Sequence, residues 1–163
     1  MITQELLKEL LHYDPLSGIF TNKVNRGTRA IKGEQAGHVD TQGYVIINID
    51  YKKYAAHRFA YLYMTGDFPK NDIDHIDHNK SNNKWSNIRS VSIGDNSKNL
   101  PKRKDNTSGF TGVSWSKNRN RWRAEITVNK KIVRLGEFFD LSDAINARKQ
   151  ANIKYNFHSN HGY

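Results

Sequence analysis

The 163-residue chain is predicted to be an α+β protein built from two small modules. Three patterns carry that expectation. Up to residue 91, short runs rich in β-branched and aromatic residues alternate with stretches of helical periodicity. A charged stretch at 101–109, poor in apolar residues, then interrupts the pattern. Beyond it, three short strand patterns lead into one alanine-lined helix, the plan of a three-stranded antiparallel sheet packed on a helix.

The elements follow in order. Leu6, Leu7, Leu10 and Leu11 recur at helical spacing behind Thr3, a plausible N-cap. Asp14-Pro15 and Ser17-Gly18 mark a turn, and Ile19–Asn22 is strand-like. A polar loop leads to strand patterns at Gly43–Asp50 and Lys52–Ala56, with a hairpin turn between Asp50 and Lys53. An aromatic-rich helix, His57–Thr65, ends at Gly66. Ile88–Ser92 is strand-like, and a helix from Asp95 would place Asn96 and Asn99 on one face. Past the linker, strands are expected at Phe110–Ser116, Arg121–Val128 and Lys131–Leu135, with turns at Asn118–Asn120 and Asn129-Lys130. The last helix, Leu141–Tyr155, has Ser142 as expected N-cap and Asp143 in its first turn. Ala144, Ala147, Ala151 and Tyr155 line one face, so it can lie close on a sheet. The expected boundaries are 1–100, a linker at 101–109, a second module at 110–157 and a frayed tail at 158–163.

Composition narrows the function. There are no cysteines, which removes disulfides and thiolate metal sites. No apolar run has membrane length, and the first residues carry two glutamates, so an intracellular protein without a membrane partner is expected. The net charge of +10 is uneven. Residues 1–100 hold 13 Lys/Arg against 11 Asp/Glu, whereas residues 101–163 hold 13 against 5. A basic third of this kind attracts polyanions through counterion release.

Residues 73–99 combine two histidines, three aspartates and a dense run of asparagines. Such runs are also the ordinary composition of solvated turns, because their side chains mimic backbone hydrogen bonds. Phosphodiester cleavage, however, needs a base to activate water, a hard cation to stabilise charge, and a device that holds the base in register. Asp74 and Asn96 are a candidate oxygen pair for Mg²⁺ or Mn²⁺. His75 is the candidate base, and Asn87 can donate and accept at once to brace the loop. His75 and His78 leave zinc open, though without a cysteine partner a hard cation fits better.

Asp74-His75, Asn79, Asn82-Asn83, Asn87-Ile88-Arg89 and Asp95-Asn96 through Asn99 together resemble the HNH endonucleases, also called the His-Me finger or ββα-metal fold, in their phage homing branch. Tyr13-Asp14-Pro15 with Gly18, Gly43-Tyr44 and His57-Arg58 extend the resemblance upstream. It implies His75 as general base, Asp74 and Asn96 as metal ligands, and Asn87 as the loop brace. Asn96 stands where many members have histidine, so the resemblance implies one Mg²⁺ or Mn²⁺ ion, with Asn99 as the alternative second ligand.

Gly109, Gly112-Val113, Trp122, Ala124-Glu125-Ile126, Leu135-Gly136, Phe138, Phe139 and the alanine-rich helix resemble the plant ethylene-response-factor (apetala-type) DNA-binding domain. In that family the sheet enters the major groove. Strand alternation puts Trp122, Ala124 and Ile126 toward the helix and Arg121, Arg123, Glu125 and Thr127 on the other face, joined by Arg134. Expected DNA contacts are Arg121, Arg123 and Arg134 with Ser114, Ser116 and Lys117, plus Lys102, Arg103 and Lys104 from the linker. Trp115 fits either the sheet rim or the DNA.

The combined expectation is a hydrolytic endonuclease acting on double-stranded DNA, with no small-molecule substrate, in the cytoplasm of a phage-infected bacterium. Its products would carry 5′-phosphate and 3′-hydroxyl ends. A monomer would nick, and a double-strand break would need a second chain or a second event. A non-catalytic DNA-binding regulator using the C-terminal module is the alternative, and an RNA-directed nuclease is a second one.

Overall fold

The computed structural model describes residues 2–91, 97–100 and 102–162. Its contacts divide the chain into two units, Met1–Ile93 and Gly94–Tyr163. The architecture is α+β, with helices and small antiparallel sheets in both. None of the described helices is long and apolar enough to cross a membrane.

In the first unit, helix α1 (Gln4–Leu10) is capped by Thr3, whose side chain accepts from the Leu6 N–H. It runs straight into hairpin β1 (Leu11–Asp14) and β2 (Ile19–Asn22). A second sheet takes β3 (His38–Val39), β4 (Val45–Ile49) and β5 (Lys52–Ala55) in that order. Asp50 and Tyr51 both have positive φ, 48° and 60°, which matches the right-handed twist of the strands they join. Helix α2 (Ala56–Thr65) ends on Gly66 in the left-handed region. It buries Phe59, Ala60 and Leu62 against Leu7, Leu11, Phe20 and Ile47. Tyr13 stacks on Phe20 at 4.7 Å in the same core. Strands β6 (Asp72–His75) and β7 (Ile88–Val91) form an antiparallel pair. Ile88 reaches the core and fastens that pair to it.

The second unit is a three-stranded sheet of β8 (Val113–Ser116), β9 (Arg121–Val128) and β10 (Lys131–Phe138), in the order β10-β9-β8, with a helix on one face. Strands β9 and β10 turn through Asn129 and Lys130, both at positive φ. Strand β8 is Val113–Ser116, shorter than the expected Phe110–Ser116. The chain turns at Gly112, whose φ of +79° and approach to the Glu125 carbonyl leave no room for a side chain. Strand β10 runs three residues past the expected Leu135, because a register shift between Arg134 and Gly136 lets pairing resume. Helix α3 is Leu141–Lys154 with Asp140, not Ser142, at the N-cap, since Leu141 is already helical and packs in the core. That core is Val113, Ala124 and Ala144, with Trp122, Leu135 and Phe138 around it.

The tail expected to fray is tied down through residue 162. His158 and Gly162 donate backbone N–H groups to the carbonyls of Lys98 and Leu100, and His161 is buried. Arg148, which helical spacing alone did not mark, is 2% exposed and bonds Asn152 and His161. Of the helix expected from Asp95, residues 95 and 96 lie outside the described residues, as does residue 92 of the strand expected over Ile88–Ser92, and Ser97–Asn99 form a 3₁₀ turn.

Candidate nuclease site

The site starts from Asp74 and His75 at the end of β6. Both are buried, at 8% and 5% exposure. Register places Asp74 opposite Arg89 and His75 opposite Ile88. Arg89 uses that position to donate from Nε and Nη2 to Asp74 Oδ2, at 3.0 and 2.8 Å. This charge-assisted pair fixes the carboxylate.

Between the strands runs the asparagine-rich loop, and its side chains hold its backbone. Asn87, buried in the 3₁₀ turn Trp85–Asn87, donates from Nδ2 to Asp77 Oδ1 and to the Asn82 carbonyl, at 2.9 and 2.8 Å. Its Oδ1 accepts from the Asp77 N–H at 3.1 Å. One amide thus staples both ends of the loop. Asp77 Oδ1 and Asn79 Oδ1 accept from the N–H groups two residues on, building successive tight turns. Partial burial raises the Asp77 carboxyl, but hydrogen bonds from Asn82, Asn87 and Asn79 outweigh it and hold the group below its usual value.

Asn83 is 2% exposed and bonds His75, its Oδ1 lying 3.3 Å from Nε2. Its own Nδ2 donates to the Ser81 carbonyl, so its oxygen faces the imidazole. An amide oxygen can only accept, so in this orientation Nε2 is the donor to Asn83. Tyr13 donates to the Asn83 carbonyl at 2.6 Å, and Trp85 donates its N–H to the Pro15 carbonyl. The loop comes so close to the Asp14–Gly18 turn that a Cβ on Gly18 would lie 2.4 Å from Asn83 backbone.

Two rings back His75. His57 meets it edge-on at 5.1 Å, and Tyr44 is tilted against both. Burial, then the neighbouring His75 and Arg58, pushes His57 down to about 4, so it is neutral. Burial also holds His75 below its ordinary value, against the pull of Asn83, Asp77 and Asp74. A neutral imidazole at neutral pH is what proton abstraction requires.

Asp74, His75 and Asn87 are therefore brought together. Asn96 lies outside the described residues, and Asn99 is buried within the second unit. Among the described residues no three His, Cys, Asp or Glu side chains converge as a metal cluster. Of the expected metal ligands, Asp74 presents a carboxylate oriented by Arg89, an oxygen donor of the kind hard divalent cations take.

Sequence spacing did not assign roles to Asn83, Arg89, Asp77 or His57. Asn83, Arg89 and His57 were in the resembling motif, but only the strand register and loop path show what they touch.

In the second unit, register puts Ser114 opposite Arg123, Ser116 opposite Arg121, and Arg134 opposite Glu125. All five expected DNA-contacting residues of the strands share the face away from α3. Arg121 is stacked on Phe139 at 3.3 Å, Arg123 lies 3.8 Å from Glu125, and Arg134 is exposed. Trp115 is opposite Trp122, with ring centroids 5.1 Å apart, so it belongs to the rim of the helix-facing side. Lys104 and Lys117 are exposed. Lys102 bonds the Gly109 carbonyl, and Arg103 is paired with Asp105.

A short antiparallel strand pair bearing Asp-His, with an asparagine-held loop between its strands, is the layout of an HNH nuclease domain. A model of the HNH endonuclease family matches residues 54–98, which contain that layout. Protein 3.8 of Escherichia phage T7 is 40% identical over 82 residues, covering 50% of this chain and 68% of its own length. The chain belongs to the HNH endonuclease family. A solved structure described as "DNA binding and cleavage by the HNH homing endonuclease I-HmuI" aligns with a TM-score of 0.37 and 21% identity. That alignment covers 50% of this chain and 46% of that one.

Proposed function

We propose that the protein is a metal-dependent endonuclease that hydrolyses phosphodiester bonds in double-stranded DNA. The observation that carries this reading is the buried His75, neutral and pinned through Nε2 by Asn83, next to the carboxylate of Asp74. His75 takes the proton from water through Nδ1. Asn83 holds the tautomer that makes this possible, and Asn87 keeps the loop carrying Asn83 in place. Asp74, oriented by Arg89, would hold the Mg²⁺ or Mn²⁺ ion, and Asn96 would be the second ligand. That ion, when bound, supplies Lewis-acid stabilisation of charge on the phosphate and the departing oxygen. The products carry 5′-phosphate and 3′-hydroxyl ends.

The face of Arg121, Arg123 and Arg134 grips the duplex, in the manner of the ethylene-response-factor (apetala-type) domain that the second unit resembles. Lys102, Arg103, Lys104 and Lys117 add phosphate attraction. With one site per chain, a monomer nicks. The setting that fits a phage-type homing enzyme is the cytoplasm of an infected bacterium.

Incubation with supercoiled plasmid and Mg²⁺ tests the reading. Relaxation is expected, abolished by EDTA and slowed about 10²- to 10⁴-fold in His75→Ala. Plasmid that stays supercoiled, or relaxation indifferent to both changes, would overturn it. RNA in the same assay is expected to stay intact.

A further inference from the structure

We propose that Lys80 is a further catalytic residue of this site, its ammonium contacting a non-bridging oxygen of the phosphate being cut. The proposal rests on the endonuclease reading above.

Lys80 sits in the loop between β6 and β7, five residues after His75. Its Nζ lies over the ring of Tyr44, 4.6 Å from the centroid. That ring is itself packed toward His75, at 6.1 Å between centroids. Tyr44 thus contacts the Lys80 ammonium with its ring face and packs toward the His75 imidazole, linking the two.

Three features separate this lysine from an ordinary solvated one. Its backbone is held, because Asn79 Oδ1 accepts from both the N–H and the hydroxyl of Ser81 on one side. On the other, Asp77 Oδ1 accepts from the Asn79 N–H. No carboxylate among the described residues takes Lys80 as an ion-pair partner, although Asp77 is three residues away in the same loop. Asp77 is committed to Asn79, Asn82 and Asn87. The side chain is also exposed, so a phosphate can reach it.

A cation seated on the aromatic ring that packs toward the base, and unpaired with the acid of its own loop, suits a substrate with negative charge at that point. Charge on the phosphate oxygens grows as water adds, so a fixed ammonium there favours the transition state over the bound substrate.

The test measures single-turnover relaxation of supercoiled plasmid in Mg²⁺, and binding of the same plasmid in EDTA, for wild type, Lys80→Met, Lys80→Arg and His75→Ala. Lys80→Met is expected to cut about tenfold or more slowly while binding changes much less. Lys80→Arg should recover most of the rate. Melting temperatures should match, since the loop bonds do not involve this side chain. Lys80→Met cutting within about twofold of wild type overturns the assignment while leaving the endonuclease reading intact, provided His75→Ala is inactive. A loss that arginine does not restore, accompanied by a lower melting temperature, makes Lys80 structural and also overturns it. Wild type that fails to cut removes both readings together.

Discussion

In the loop between β6 and β7, the side chains that hold the backbone are asparagines and one aspartate. In the second unit they are Val113 and Ala124 of the sheet and Ala144 of the helix. The first region is fastened by hydrogen bonds from Asn79, Asn82, Asn83 and Asn87, the second by an apolar contact between strands and helix. The contrast follows from what each must hold. A base and its tautomer need directional contacts, whereas a face of arginines needs only a flat support beneath it. Directional networks are sensitive to small displacements, because a buried polar group left unmet costs about 1–3 kcal/mol. Apolar packing is more forgiving of direction but not of volume.

One glycine packed against each region allows the same lesion to be placed in both. Gly18 has φ +77° with Asn83 and Lys84 backbone where a Cβ would stand, and Gly112 has φ +79° with Arg148 and the Glu125 carbonyl there. Each alanine variant is expected to lose roughly 2–4 kcal/mol of local stability, from backbone strain and overpacking together. The functional consequences should separate. Gly18→Ala displaces Asn83 and so the partner of His75, and cleavage falls more than DNA affinity does. Gly112→Ala loosens the sheet–helix unit, and DNA affinity falls while cleavage per bound complex changes little. Hydrogen exchange read at β7 and β9 amides follows each region separately. Equal exchange and activity profiles for the two variants would break the comparison.

Asn87→Ala is the next largest change. It removes the three bonds that close the loop, worth about 2 kcal/mol net. Asp77 then loses one of the hydrogen bonds that keep its carboxyl below the usual range. Because the depressed value belongs to the folded protein, this contribution is present above the unfolded value and is lost as pH falls through the folded one. In acid, the gap in urea-melt stability between wild type and Asn87→Ala should therefore narrow. A gap between them that stays constant down to pH 3 would show that Asp77 is not part of the staple.

The same contrast explains what sequence reasoning could reach. The second unit obeys alternation: Ala124 and Ile126 inward, Arg123 and Thr127 outward, with turns at Asn120 and Asn129. Period-two burial is a local property, so the strands and their faces followed from residue order. Even the ambiguous Trp115 needed only the register that pairs it with Trp122. The loop is different. Asp74, His75 and Asn87 stood out by type and spacing, but the bond between His75 and Asn83 depends on a path through several positions of turn geometry. His78 at φ +62° is one of them. No periodicity encodes such a path. The grip of Arg89 on Asp74 came from the register of β6 and β7. Arg148 was hidden for another reason: helical spacing placed it beside Ala144 and Ala151, where a charged residue is assumed to point outward.

The smallest predicted effect concerns the arginine face. Arg121 is stacked on Phe139 and bonds backbone carbonyls at the β8–β9 turn, and Arg123 lies beside Glu125. Arg134 is exposed, on the strand position opposite Glu125. A contact of this kind to a phosphate acts by counterion release and is indifferent to direction, which is the apolar unit's mode of tolerance carried to its surface. Arg134→Ala should weaken duplex binding by only a fewfold and reduce the slope of log affinity against log salt by about 0.9. It should do so equally on cleaved and uncleaved sequences, with the cutting rate of bound DNA unchanged. A loss confined to one sequence, at constant salt slope, would instead make Arg134 a reader of base edges. The second unit would then be held to the same directional standard as the loop.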